Sequence, residues 1–151
     1  MNKFTLFYEE FRADDRLSLH GINFSNCIVV RLVVDGVLLH EEKGFEDSLL
    51  YFSELQRSSL GAGRYLIFTC ACGIAEDGGW DGIVVCHDSN SVSWEFSVGD
   101  VRYTYRFDRN EYLDEIESMS VFLKDAGLHI EPSNVVFPEN MSGPQKADEV
   151  V

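Results

Sequence analysis

Basic residues are scarce in this chain: Lys and Arg number 12 against 26 Asp and Glu, a formal charge of −14 over 151 residues. That scarcity disfavours polyanionic partners. DNA, RNA and anionic membrane surfaces are held by Lys and Arg on phosphate, and few are on offer. No apolar stretch approaches the roughly 18 residues that span a bilayer. The apolar run of Met1-Asn2-Lys3-Phe4-Thr5-Leu6-Phe7-Tyr8 is too short for a secretory signal and meets Glu9-Glu10 at once. A cytoplasmic protein is the expectation. Neither GxGxxG nor GxxxxGK[ST] is present, and Glu76, Asp77 and Asp81 beside the densest glycines would repel phosphate. No nucleophile elbow is present, and His20, His40, His87 and His129 are scattered without a motif.

The apolar fraction, 45%, suffices for one core. Lys3–Glu9 is rich in aromatic and branched residues and reads as a strand. Cys27–Val34 is nearly all apolar, the pattern of a strand covered on both faces. Asp35-Gly36 signals a two-residue turn, with Val37–Glu42 as the returning strand. Phe45, Leu49, Phe52 and Leu55 or Gln56 lie at helical spacing, so a first helix is expected from about 45 to 60. Arg64–Ala71, with Leu66-Ile67-Phe68, reads as a central strand, and Ile83–Cys86 as another.

Val92, Trp94 and Phe96 alternate with polar residues, as do Val101, Tyr103, Tyr105 and Phe107 after Gly99-Asp100. A two-residue turn there pairs Phe96 with Tyr103, Trp94 with Tyr105 and Val92 with Phe107 on one face, with Glu95 diagonally between Arg102 and Arg106 on the other. Asp108 then caps a second helix, with Glu111 at capping-box spacing. Tyr112, Ile116, Met119, Leu123 and Ala126 form its apolar stripe, and Gly127 ends it. The order β-β-β-α-β-β-β-β-α predicts an α+β fold: a largely antiparallel sheet of about six to seven strands with two helices on one face. Residues 1–137 are expected as a single domain, and 138–151 as a mobile tail.

Cys70, Cys72, Cys86 and His87 invite a zinc reading. Zinc knuckles want Cys-x₂₋₄-Cys, however, and the adjacent Cys86 and His87 would point to opposite faces of a strand. Buried structural thiols are the expectation, and neither a metal nor another cofactor is predicted. Thiol redox chemistry prefers Cys-x-x-Cys at a helix N-terminus, and this segment leaves a strand for a loop. Trp80 sits in that Gly-rich loop among Glu76, Asp77 and Asp81, and reads either as an interface anchor or as a core residue folded onto the sheet edge. Asp114, Glu117 and Asp125 form an acidic face on the second helix. The partner-binding candidates are therefore Glu76, Asp77, Trp80, Asp81, Asp114 and Glu117.

Phe68-Thr69-Cys70-Ala71-Cys72-Gly73 with Gly78-Gly79-Trp80-Asp81-Gly82, and Val92-Ser93-Trp94-Glu95-Phe96 with Tyr105-Arg106-Phe107, resemble small acidic bacterial proteins. Some of these sit among the immunity proteins of polymorphic toxin and contact-dependent growth inhibition systems. The likeness spans roughly residues 64–116. Where the related pattern often carries a further Cys in the loop, this chain has Glu76-Asp77. The resemblance implies a protein that binds and blocks a cognate toxin, often a basic nuclease. An adaptor domain for another protein partner, or a small enzyme or metal-binding protein, are the other readings.

Overall fold

A computed structural model of the chain describes residues 1–141. Strand β1 (Phe4–Phe11) pairs antiparallel along its whole length with β4 (Cys27–Val34), from Phe4 opposite Val34 to Phe11 opposite Cys27. Between them lies a small hairpin that the sequence pattern did not announce, β2 (Leu17–Leu19) and β3 (Ile22–Phe24). All but one residue of β4 is buried, so the two-faced burial expected of its apolar run holds. Arg31 within it is buried too, with Nε 2.8 Å from the Glu9 carboxylate. At Asp35-Gly36 both φ angles are positive, +53° and +80°, as a tight hairpin turn demands. The return is shorter than expected. Strand β5 is only Val37–Leu38, because Leu39–Glu41 curls into a 3₁₀ turn that drops Leu39 into the core.

The expected helix over 45–60 is half absent. Phe45–Asp47 is a turn, Ser48–Leu50 is strand β6, and helix α1 covers only Phe52–Ser58. All three residues of β6 are buried, and they pair with β8 (Phe68–Cys70). Backbone pairing in a site covered on both faces outweighed a helical periodicity that four apolar residues had met.

Arg64–Ala71 likewise breaks in two: β7 (Gly63–Tyr65) and β8 belong to different sheets. At the break, the Leu66 N–H donates to the Glu54 carboxylate at 2.9 Å and the Ile67 carbonyl accepts from Tyr51 N–H at 2.7 Å. Glu54 is 1% exposed, and Arg57 pairs with it at 3.1 Å. The buried acid thus serves the kink, and its own burial pushes its carboxyl above the usual range.

Strands β9 (Ile83–His87), β10 (Ser91–Val98) and β11 (Val101–Asp108) follow, with Trp94 opposite Tyr105, Phe96 opposite Tyr103 and Val92 opposite Phe107 as the alternation predicts. Helix α2 (Arg109–Lys124) begins where Asp108 Oδ1 accepts the Glu111 N–H at 2.9 Å. It buries Tyr112, Ile116, Met119 and Leu123. Strand β12 (His129–Glu131) then joins β4 in parallel.

The fold is α+β, with twelve strands among the described residues. One four-stranded sheet runs β11-β10-β9-β7 and another is built on β1-β4-β12 with β5 beside β4; β2-β3 and β6-β8 form two smaller ones. The single six- to seven-stranded sheet of the sequence reading is therefore divided. An Asn2–Phe107 bridge ties the two large sheets together. Helix α2 lies against β1, β10 and β11, and α1 against β7 and α2. Between the layers Phe4, Trp94, Phe107 and Tyr112 meet edge-on, tilted or stacked, with ring centres 4.7–6.1 Å apart. The Tyr112 hydroxyl hydrogen-bonds Ser58 and accepts from Trp94 Nε1 at 3.2 Å, so the polar tips in this core are partnered.

Pro138 and Met141, placed in the expected tail, are buried, and Glu139 N–H donates to Glu76 at 2.6 Å. The remainder of that tail lies outside the described residues.

Candidate functional site

The glycine-rich loop leaves β8 through a turn in which Gly73 N–H donates to the Cys70 carbonyl at 2.9 Å. Gly73 has φ +88°, and a Cβ there would stand 2.8 Å from the Asn134 carbonyl oxygen, so only glycine fits. A 3₁₀ turn, Ala75–Gly78, then delivers Trp80. Trp80 is 6% exposed, its ring 5.5 Å from both Phe45 and Phe68. It is a core residue folded onto the sheet edge rather than an exposed anchor. Burying an indole gains more than leaving it in a polar loop, and two aromatic rings stand ready to receive it.

The three acids of this loop diverge. Glu76 turns to the 139 backbone. Asp81 faces Arg64 at 3.9 Å, exposed to water. Asp77 faces a cleft of about 270 Å³ whose lining includes His20, Glu46, Asp47, Cys70 and Trp80. Glu46 and Asp47 were missed because the helix expected over 45–60 placed them in its first turn, where acids answer the helix dipole, whereas residues 45–47 form a turn at the cleft. His20 was missed because it sits at the tip of the β2-β3 hairpin. His20 Nδ1 lies 3.8 Å from Asp47, both well exposed. The rim is thus a set of solvated carboxylates above the rim of an indole. Such a cleft attracts a guanidinium or ammonium group through charge.

Asp114 and Glu117 are exposed on α2, as is Asp125 beyond its end. With them on that surface are Val121 and Phe122, and the Phe122 ring stacks on Tyr8 of β1 at 4.2 Å. Tyr8 and Phe122 are 40% and 37% exposed. An aromatic pair open to solvent within an acidic rim has the composition of a protein interface.

The cysteines divide by exposure. Cys27 and Cys70 are buried, Cys72 half-buried and Cys86 exposed. His87 turns inward, its Nε2 2.8 Å from the Ser58 carbonyl oxygen. Among the described residues no group of three or more His, Cys, Asp or Glu side chains is arranged to hold a metal ion. Nor, among them, is any helix long and apolar enough to cross a membrane.

These features define an α+β protein with an acidic, aromatic-floored cleft and a second acidic surface on α2. Comparison with protein families, with curated proteins and with solved structures finds no match in any of the three.

Proposed function

We propose that this chain is an immunity-type protein that binds and neutralises a cognate, basic toxin in the cytoplasm. The observation that carries the reading is the cleft in which Glu46, Asp47 and Asp77 gather over Trp80, on a chain of formal charge −14. A basic side chain of the toxin enters this cleft. The surrounding negative field speeds its approach, and the walls of the cleft set how long it stays. The resemblance of residues 64–116 to small bacterial proteins, some of which sit among immunity proteins, supports the same reading. The test is co-expression with the basic C-terminal domain of a large secreted protein encoded by a neighbouring gene. Growth should be rescued by the intact chain and lost with Glu46→Gln, Asp47→Asn and Asp77→Asn combined. Equal rescue by that variant would exclude the cleft as the toxin's site.

An adaptor role with a different protein partner is the second reading. The exposed Tyr8–Phe122 stack favours it, because an apolar anchor of that kind does not depend on a basic partner.

A further inference from the structure

The sulfurs of Cys70 and Cys72 stand 2.9 Å apart, whereas a disulfide bond is about 2.05 Å long. Residues 70–73 form one turn, closed by the 2.9 Å bond from Gly73 N–H to the Cys70 carbonyl, and this brings both side chains to the same side. The turn is tied down by its neighbours: Val136 N–H donates to the Gly73 carbonyl at 2.6 Å, and Ala75 N–H to the Val136 carbonyl at 3.1 Å. The two thiols also differ in access, since Cys70 is 4% exposed and Cys72 half-buried. A pair made of one reachable sulfur and one shielded sulfur in contact is the arrangement that thiol–disulfide exchange needs for attack followed by resolution.

We propose that Cys70 and Cys72 are a reversible dithiol–disulfide site whose oxidant is a low-molecular-weight disulfide of the glutathione class. Cys72 gives its proton to solvent, and the thiolate attacks one sulfur of the small disulfide. That S–S bond breaks, a Cys72 mixed disulfide forms, and one small thiolate leaves and is protonated. Cys70 then loses its proton and its sulfur attacks Cys72 Sγ, forming the internal disulfide and expelling the second small thiolate. In sum the dithiol loses two electrons and two protons, and the small disulfide becomes two thiols. Ile74 N–H donates to Cys72 Sγ at 3.4 Å and helps to fix that sulfur beside Cys70. The Asp77 carboxylate lies 3.8 Å from the same sulfur. Burial pushes the Cys70 thiol up, which leaves Cys70 the resolving rather than the first attacking sulfur.

The test uses the full chain with Cys86→Ser, which removes the exposed thiol and leaves three of the four. The protein is equilibrated with graded ratios of reduced and oxidised glutathione, quenched in acid, unfolded and alkylated with N-ethylmaleimide. The expected result is loss of two alkylatable thiols together, without added glutathione mass, mapped to Cys70 and Cys72 and reversed by dithiothreitol. Trp80 emission should fall in step, because Trp80 lines the same cleft as Cys70. Cys70→Ser should stop at one glutathione adduct on Cys72. Should that variant fail to fold, the Cys86→Ser chain alone still decides. A persistent glutathione adduct on Cys72 in the Cys86→Ser chain, or three thiols still free where a small dithiol peptide is fully oxidised, overturns the proposal.

Discussion

The Glu111 carboxylate accepts the backbone N–H of Phe4 at 2.9 Å, so the helix α2 residue that completes Asp108's cap also closes the outer edge of strand β1. Glu115, one turn on, reaches Leu6 N–H at 3.4 Å. Four helical residues rise about 6 Å and two strand residues about 6.6–6.8 Å, so the carboxylates keep step with successive outward amides. An open edge of β1 would otherwise offer those groups to another chain. In the capping box expected from the sequence, Glu111 returned to Asp108 N–H; instead its carboxylate bonds Phe4 and, at 2.9 Å, the Lys3 ammonium.

Glu111→Ala strands the Phe4 amide and should therefore cost on the order of 1–3 kcal/mol by urea denaturation. Glu111→Gln keeps an acceptor and should cost less. Faster hydrogen exchange at Phe4 in the alanine variant alone would locate the loss. Equal stability of alanine variant and parent would mean that water replaces the carboxylate there.

Acidification should narrow the gap between parent and Glu111→Gln. The Phe4 N–H, then Lys3, hold the Glu111 carboxyl below its usual range. A carboxyl depressed in the folded state contributes stability above its unfolded pKa, about 4.3, and loses it as pH falls through the lower folded value. Asp88, held down first by Asn90 N–H and then by Ser91, acts in the same sense. Urea midpoints measured from about pH 7 to pH 3 should converge for parent and variant. Parallel curves would show that the Glu111 charge adds nothing to either contact.

Trp94 is wholly buried among Phe4, Phe107 and Tyr112. Trp94→Ala should cost about 3–5 kcal/mol, as for other large aromatic deletions. Trp94→Phe should cost less, losing only volume and the 3.2 Å bond to the Tyr112 hydroxyl. A loss under about 1 kcal/mol for the alanine variant would contradict the burial described.

The two surfaces should separate kinetically once a partner is in hand. Neutralising Glu46, Asp47 and Asp77 should slow association and flatten its salt dependence, because exposed charges act through steering that ions screen. Tyr8→Ala with Phe122→Ala should instead speed dissociation if α2 forms the interface, by 2 kcal/mol or more at a hot spot. Trp80→Ala is a stability variant, since its ring is packed on Phe45 and Phe68. An association rate indifferent to all three acids would assign the charge to solubility alone.

Strict alternation made the 92–107 hairpin legible to the residue, because a two-residue turn leaves one register that keeps Trp94 and Phe96 on the same face. The Asp35-Gly36 turn and the Asp108 cap were equally open to reading, since each satisfies its backbone locally. Charge and the α+β class follow from composition and pattern alone.

What the sequence by itself could not determine lies where distant segments compete for the same backbone. Ser48–Leu50 became a strand only because Phe68–Cys70 was there to pair with it, and Leu66-Ile67 became a kink because a buried Glu54 receives the Leu66 amide. The cleft has the same origin. Asp77, Asp47 and His20 come from three loops whose meeting depends on where Trp80 folds, and Trp80 folds inward because Phe45 and Phe68, 35 and 12 residues earlier in the chain, together make the apolar seat for its ring. Local spacing carries turns, caps and registers; the convergence of side chains is settled by long-range burial, which no local spacing records.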